Sequence, residues 1–179
     1  GFRIELDAML DALESFPSIV VWVPFNEAWG QHNTDEVLTH VMMRDPSRLV
    51  DGPSGWTDTG TGHMRDHHLY QDAEKLPAHE DGRATVYGEF GGISLYVDGH
   101  VIVEKGWGYT KTETAEDLRA SYSQLLGDIA VLIPEGLAGV IYTQTTDVES
   151  EINGLLTYDR NYKLDPEILR SIHSQIVNR

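Results

Sequence analysis

The chain has 179 residues, 40% of them hydrophobic and 23% charged, which suits one folded domain and excludes a chain disordered by composition. Its 13 basic and 29 acidic residues give a formal net charge of −16, which disfavours sequence-independent nucleic-acid binding and docking on an anionic membrane. The absence of cysteine excludes disulfides, thiolate metal sites and cysteine nucleophiles, and no apolar run reaches the ~20 residues of a membrane helix.

The hydrophobic pattern of the first third predicts helices that alternate with strands. Apolar residues at helical spacing predict a helix over residues 2–16, and the β-branched run at residues 18–25 predicts a strand covered on both faces. Asn33, Thr34 and Asp35 are possible caps and predict a second helix that continues to about Arg44. Residues 48–52 then predict a short buried strand.

The remainder of the chain continues this alternation. The predicted elements are a weak strand at residues 67–70, a strand followed by a loop within residues 84–92, a long helix at 114–132, a buried strand at 137–143 and a helix that begins at Asp165 and Pro166. This order predicts an α/β fold with a parallel sheet. The connections at residues 51–66 and 91–114 are long enough to predict functional loops.

Two glutamates directly follow predicted strands, and active sites of parallel α/β folds lie at the carboxyl ends of strands. Glu27 and Glu89 both have apolar or glycine neighbours, where a carboxylate is unfavourable unless it is paired or used. Two converging carboxyl groups, one protonated and one ionised, are what glycoside hydrolysis needs. A single glutamate in such a position is more often an exposed loop charge, so position alone leaves both interpretations open.

Residues that could contact a sugar lie near these glutamates in the sequence. Asn26 is placed to bind a sugar hydroxyl group. The aromatic candidates for stacking on sugar faces are Trp29, Trp56, Trp107 and Tyr109. Tryptophans are also common in protein cores and interfaces, which is the alternative interpretation for each of them.

Two polar clusters are weak candidates for metal binding. His63, His67 and His68 lack a standard zinc spacing, so we favour a structural role for them. The acidic loop that contains Asp147, Glu149 and Glu151 is expected to be solvated, although a weakly bound cation such as Ca²⁺ is left open.

Five segments carry a more specific pattern. They read VWVPFNEAWGQ at residues 21–31, DPSRLVDGPSGW at 45–56, DHHLY at 66–70, GEFGG at 88–92, and QTTDVE at 144–149 followed by Glu151, Asn153, Gly154, Tyr158 and Asp159. Together they resemble glycoside hydrolase family 2, which contains β-galactosidases, β-glucuronidases and β-mannosidases. The order and spacing of the segments fit this family over nearly the whole chain.

The resemblance implies retaining hydrolysis on a (β/α)8 TIM barrel. It implies that Glu27 is the general acid/base at the end of the fourth barrel strand and that Glu89 is the nucleophile at the end of the seventh. It also implies that Asn26 binds the sugar 2-hydroxyl group and that Tyr70 donates a hydrogen bond to the nucleophile. The other expected substrate contacts are His68, Trp56 and Trp107.

Two positions depart from the family pattern. Gln71 follows Tyr70 where the family often has proline, which leaves the path of that loop open. Gln144 stands near the end of the last strand, where the family commonly has tryptophan.

The length of the chain bears on how much of a barrel it contains. A complete barrel takes ~200–250 residues, and the match begins at the fourth strand. We therefore expect residues 1–179 to be the C-terminal portion of a catalytic barrel, about strands 4 to 8, whose partners are the missing N-terminal domains of the same protein. Because a partial barrel has open strand edges, we expect the chain alone to self-associate and to be weakly active or inactive.

The expected function is thus hydrolysis of terminal β-glycosidic bonds by two glutamates without a cofactor, with a carbohydrate as substrate and a weak preference for β-galactosides. The sequence indicates no compartment. The alternative is a carbohydrate-binding or structural α/β domain without catalysis, which product formation would distinguish. A nucleotide-binding module is disfavoured by the charge and by the absence of a glycine-rich phosphate loop.

Overall fold

The computed structural model describes residues 1–52, 54–70, 76 and 81–177. Its helices are α1 (Phe2–Leu13), α2 (Thr34–Arg44), α3 (Ala115–Leu132) and α4 (Pro166–Val177). Its strands are β1 (Val21–Trp22), β2 (Leu49–Val50), β3 (Met64–Leu69), β4 (Ala84–Gly91), β5 (Ile93–Leu95), β6 (Thr110–Thr112) and β7 (Leu137–Thr143). The strand orders are β1-β2, β3-β4-β7 and β5-β6, and the first and last of these sheets are parallel, so the fold is mixed α/β with small sheets.

The chain divides into two compact units. The first unit contains Gly1–His68 and Ala78–Gly88, and the second contains Leu69–Pro77 and Glu89–Arg179. Within the described ranges, no helix is both long and apolar enough to cross a membrane.

The core of the first unit lies between α1, α2 and the β1-β2 sheet. Its buried residues are Leu6, Leu10, Trp22, Phe25, Val37, Leu38, Val41 and Val50. The spacing of Leu6 and Leu10 puts both on one face of α1. The indole N–H of Trp22 donates to Asp45 Oδ2 at 2.8 Å, so burial of this large ring leaves no unsatisfied donor.

The first strand is shorter than the sequence predicts, and the valines on either side of it are exposed instead of covered. The prediction covered residues 18–25, whereas β1 contains two residues and pairs with β2 alone among the described residues. Val20 is 64% exposed and Val23 is 47% exposed. Pro24 has no N–H to continue the ladder, which explains why the strand ends before it. The first helix is likewise shorter than predicted, since α1 ends at Leu13.

The second unit contains α3, α4 and the strands of the last third of the chain. Helix α3 begins with a capping box between Thr114 and Asp117, and it buries Leu118, Tyr122 and Leu126 among others. The predicted bounds of the strand at residues 137–143 and the predicted start of α4 at Pro166 are confirmed. The prediction that this strand is buried is wrong, because only Leu137 is buried in it and Ile141 is 61% exposed. The predicted long loop at residues 91–114 is wrong in part, because it contains the parallel strands β5 and β6.

Candidate functional site

Glu27 follows β1 in the first unit and has an unusual local environment. Its side chain is 17% exposed, and its Oε2 is a buried acceptor with no hydrogen-bond partner among the described residues. The next residue, Ala28, has a φ of 43°, in the left-handed region that non-glycine residues avoid at a cost of roughly 1–3 kcal/mol. Backbone strain and an unsatisfied buried acceptor at one glutamate are typical of a functional position.

His68 lies beside Glu27 in the same unit. Asp66 and His68 are buried residues on the same face of β3, since side chains two apart in a strand point the same way. His68 Nδ1 is 3.7 Å from Glu27 Oε2, and its Nε2 is 3.3 Å from Asp66 Oδ2. The imidazole ring therefore lies between a part-exposed carboxylate and a buried one.

Asp66 and Asp51 form a buried carboxylate pair behind His68. Asp66 is 2% exposed and accepts hydrogen bonds from the backbone N–H groups of Gly55 and Gly88. Burial, with the negative charge of Asp66 as the next cause, raises the pKa of Asp51 to about 7. A carboxyl pair of this kind holds a proton close to neutral pH, and motif reasoning from the sequence did not identify it.

The loop that carries Trp56 packs against the same residues of the first unit. A Cβ atom at Gly55 would lie 2.9 Å from Glu27 Cβ and 3.1 Å from the His68 ring, so a larger residue does not fit there. Trp56 is 64% exposed, and its ring contacts the His68 ring edge-on at a centroid distance of 6.2 Å. Asn26 and Trp29 are also exposed. The exposed aromatic surface that sugar stacking needs is therefore present near Glu27.

Glu89 lies in β4 and belongs to the second unit, where Tyr70 contacts it. The Tyr70 hydroxyl donates to Glu89 Oε2, which is the contact that the family resemblance implies. Burial and this bond to Glu89 raise the pKa of Tyr70 above its ordinary value, so the hydroxyl remains a hydrogen-bond donor. The Tyr70 ring stacks on Tyr109 with centroids 3.5 Å apart and planes 5° apart, which fixes the position of the donor.

Trp107 extends this group of rings within the second unit. Its ring contacts Tyr109 edge-on at a centroid distance of 5.4 Å and is 47% exposed. Tyr70, Tyr109 and Trp107 therefore form a continuous run of aromatic rings that begins at Glu89.

The acidic loop is not solvated throughout, which corrects the expectation for Asp147. Its side chain is 1% exposed and accepts from Lys163 Nζ at 2.7 Å and from the Gly154 N–H at 2.8 Å. Burial raises the pKa of Asp147 and lowers that of Lys163, because desolvation opposes both charges. Glu149 is exposed, as expected, and Glu151 accepts from Asn153 at 2.8 Å. Asp147 is thus a structural residue paired with a lysine that the sequence analysis missed.

The three histidines do not converge on a metal centre. His63 Nδ1 accepts from the Val50 N–H at 2.9 Å, and His67 packs edge-on against Tyr87. Neighbouring residues of a strand point to opposite faces, which separates His67 from His68. Gln71 lies outside the described residues.

Comparisons with known proteins identify the fold. No protein-family model and no curated protein matches the sequence. A β-glucuronidase from an uncultured Clostridium species matches 97% of this chain with a TM-score of 0.64 and 10% identity. An exo-β-agarase matches 79% of the chain (TM-score 0.55, 15% identity) and another agarase matches 78% (TM-score 0.53, 12% identity).

These structural neighbours are glycoside hydrolases, and at such identities the likeness shows a shared fold. The matched region spans 35% of the β-glucuronidase and 22% and 24% of the two agarases. The chain therefore has the fold of a part of proteins that cleave carbohydrates.

Proposed function

We propose that the chain is part of a retaining β-glycosidase in which Glu89 is the nucleophile and Glu27 the general acid/base. The observation that carries the proposal is the hydrogen bond from Tyr70 to Glu89 on a strand of a fold whose structural neighbours are glycoside hydrolases. The family resemblance of the five sequence segments supports the same two residues.

In this proposal Glu89 attacks the anomeric carbon of the sugar. The Tyr70 hydroxyl donates to Oε2, which orients the carboxylate for the attack. The C–O bond to the leaving group breaks as the bond to Glu89 forms, which gives a covalent glycosyl-enzyme. Water then displaces Glu89, and two successive inversions retain the configuration at the anomeric carbon.

Glu27 supplies the proton in the first step and removes one from water in the second. His68 is a positioning residue in this scheme, since its Nδ1 is 3.7 Å from Glu27 Oε2 and its own ring is buried beside Asp66. The retaining mechanism requires the Glu27 and Glu89 carboxyl groups to come within ~5–5.5 Å of each other.

The substrate we propose is a terminal β-galactoside or a closely related β-glycoside. Asn26 would bind the sugar 2-hydroxyl group, and the exposed rings of Trp56 and Trp107 would contact sugar faces. The names of two structural neighbours, a β-glucuronidase and an exo-β-agarase, favour β-linked substrates.

We also propose that residues 1–179 are the C-terminal portion of a (β/α)8 barrel that begins at its fourth strand. Strand β1 has one paired edge within the described ranges, and Val20 and Val23 beside it are 64% and 47% exposed. A preceding barrel strand would pair with the other edge and cover these side chains. Accordingly, residues 1–179 alone should be inactive and should self-associate in analytical ultracentrifugation, whereas a cooperative, active monomer would contradict this part of the proposal.

The function is tested on the whole natural polypeptide that contains residues 1–179. We expect release of nitrophenol from a nitrophenyl β-galactoside, loss of this activity in Glu89→Gln, and normal activity in Glu135→Gln, which changes an exposed glutamate. Glu27→Ala should still release dinitrophenol from a dinitrophenyl glycoside with a kcat/KM close to that of the wild type, because this leaving group needs no proton. Its kcat should fall, because the base that activates water in the second step is lost.

Two outcomes would contradict the proposal. Full activity of both catalytic variants would reject the assigned residues. Sugar binding without any product, on a panel of β-galactoside, β-glucuronide and β-mannoside, would favour the non-catalytic carbohydrate-binding alternative.

A further inference from the structure

A cavity of about 580 Å³ lies within the second unit, apart from the residues assigned to bond cleavage. Two aromatic rings line it, Tyr96 and Trp107, which are 44% and 47% exposed. Its volume is within the range of ~300–1,000 Å³ that small-molecule sites occupy. Half-exposed aromatic rings in a concave site are the surface on which sugar rings stack.

Close packing on both sides of Trp107 holds it in the cavity wall. The backbone N–H of Trp107 donates to the Ser150 carbonyl, and the backbone carbonyl of Trp107 accepts from the Ile152 N–H, both at 2.9 Å. A Cβ atom at Gly106 would lie 2.5 Å from the Ile152 side chain, and one at Gly108 would lie 2.5 Å from Ser94. The backbone is therefore fixed while the ring faces solvent, as a preorganised platform requires.

Two lysines that form no ion pair within the described part of the chain line the cavity, although the protein is strongly acidic. Of the 13 basic residues, Lys75 and Arg179 lie outside the described ranges, and eight of the other eleven form ion pairs. The basic residues with no ion-pair partner in the described part of the chain are Lys105, Lys111 and Arg160. Two of these three, Lys105 and Lys111, line the cavity.

Glu104 also lines the cavity and forms no ion pair with either lysine among the described residues. Its charge reduces the positive potential but leaves a net positive wall. With a chain charge of −16, an anionic ligand is repelled from most of the surface and is best accommodated here.

The run of aromatic rings connects this cavity with the proposed nucleophile. Trp107 contacts Tyr109, Tyr109 stacks on Tyr70, and the Tyr70 hydroxyl donates to Glu89, all within the second unit. A sugar chain that extends from the reacting unit along these rings would place its next unit at Trp107.

We propose that this cavity is a subsite for a sugar unit that carries a carboxylate or sulfate group, with Trp107 and Tyr96 contacting the ring and Lys105 and Lys111 binding the anion. The role of the cavity as a subsite rests on the proposed glycosidase function, but the binding of an anionic sugar there does not. Lysine ammonium groups bind a carboxylate or a sulfate as point charges, so the same two lysines would recognise either group.

Calorimetric titration of the whole natural polypeptide tests this proposal, with Glu89→Gln as the background to prevent turnover. The probes are methyl β-galactoside, its sulfate ester and methyl β-glucuronide. We expect at least one anionic probe to bind about tenfold or more tightly than the neutral one at low salt. Tighter binding of the sulfate ester would indicate a site for sulfated sugars, and tighter binding of the glucuronide a site for sugars that carry a carboxylate.

Matched variants assign the binding to the cavity. Lys105→Gln with Lys111→Gln should remove the preference for the anion, and Glu104→Gln should increase it. Arg160→Gln, which changes the third unpaired cation outside the cavity lining, should leave the preference intact. All three changes are at exposed side chains, and unchanged thermal melts would confirm that the variants are folded.

The results separate failure of this site from failure of the proposed function. Equal affinity for neutral and anionic probes, or an equal loss in Arg160→Gln, would overturn the subsite even if neutral β-galactosides are hydrolysed. A preference that disappears only in the lysine variant would support the site even if no glycoside is hydrolysed, in which case the glycosidase proposal alone would fail.

Discussion

Asp66 accepts a hydrogen bond from the backbone N–H of Gly88, the residue immediately before Glu89 in the sequence. The same carboxylate accepts from the Gly55 N–H, next to Trp56. The buried side chain of Asp66 therefore accepts hydrogen bonds from backbone N–H groups of two other segments that resemble the glycosidase family, residues 45–56 and 88–92. Because these segments carry proposed substrate contacts, Asp66 is expected to matter for stability as well as for the site.

Asp66→Ala should lower the free energy of unfolding by about 2–4 kcal/mol, because one buried and one part-buried N–H group lose their acceptor at roughly 1–3 kcal/mol each. Urea titration followed by circular dichroism measures this. Asp66→Asn keeps an oxygen acceptor and should lose less. Asp98→Ala, at an exposed aspartate, should change stability by no more than about 0.5 kcal/mol. Equal stability of Asp66→Ala and the wild type would show that these hydrogen bonds contribute nothing.

Asp51 should make the free energy of unfolding decrease as pH rises, and Asp51→Asn should remove this pH dependence. The pKa of Asp51 rises from an ordinary 3.8 to about 7 in the folded chain, because burial and the neighbouring Asp66 oppose its ionisation while His68 favours it. Between these values the folded state binds a proton that the unfolded state has released, so wild-type stability falls as pH rises and levels off above about 7.

The stability of Asp51→Asn relative to the wild type should therefore increase between about pH 4 and pH 7, by on the order of 1 kcal/mol per unit at most. Urea unfolding of both proteins across this range measures the difference. A constant difference, or one that decreases with pH, would show that Asp51 is ionised throughout.

Lys163→Met should destabilise the protein by about 3–5 kcal/mol, because it leaves Asp147 buried without its counter-ion. The double variant Lys163→Met with Asp147→Asn should recover part of this loss, since the amide carries no charge and still accepts from Gly154. Chemical denaturation of the two variants provides the comparison. If the free energy of unfolding of Lys163→Met is within about 1 kcal/mol of the wild-type value, the Lys163–Asp147 pair is in a more polar environment than its burial indicates.

Tyr70→Phe should lower kcat/KM for a β-galactoside by about ten- to a hundredfold, because it removes a hydrogen bond to a charged group worth roughly 1.5–3 kcal/mol. The phenylalanine ring retains the stack on Tyr109, so the thermal melting temperature should change little. Tyr158→Phe makes the same chemical change at a half-exposed tyrosine and serves as the control. Unchanged kinetics in Tyr70→Phe would remove Tyr70 from the catalytic machinery.

Local signals in the sequence predicted several elements of the fold well. The strand at residues 137–143 has the predicted bounds, and α3 (Ala115–Leu132) matches the helix predicted over residues 114–132. These features depend on neighbouring residues, so periodicity and cap chemistry are sufficient to find them. Strands β5 and β6 contain three residues each, which is too short for a periodic pattern to stand out.

The carboxylate network of the first unit was harder to predict. Asp51 lies in a different segment from Asp66 and His68, and only tertiary packing shows that burial raises the pKa of Asp51. The pairing of Lys163 with Asp147 is similar, because the two residues meet only after the connection between β7 and α4 has folded back. By contrast, the motifs predicted the contact between Tyr70 and Glu89. Tyr70 directly follows β3, whereas Glu89, which was expected just after a strand, lies within β4 two residues before its end.

The most direct test of the central claim is mass spectrometry of the whole natural polypeptide after reaction with a fluorinated glycoside that stalls at the glycosyl-enzyme stage. We predict one added sugar, carried by the peptide that contains Glu89, and no addition in Glu89→Gln. A label on a different carboxylate, or hydrolysis with no label on Glu89, would contradict the proposed mechanism.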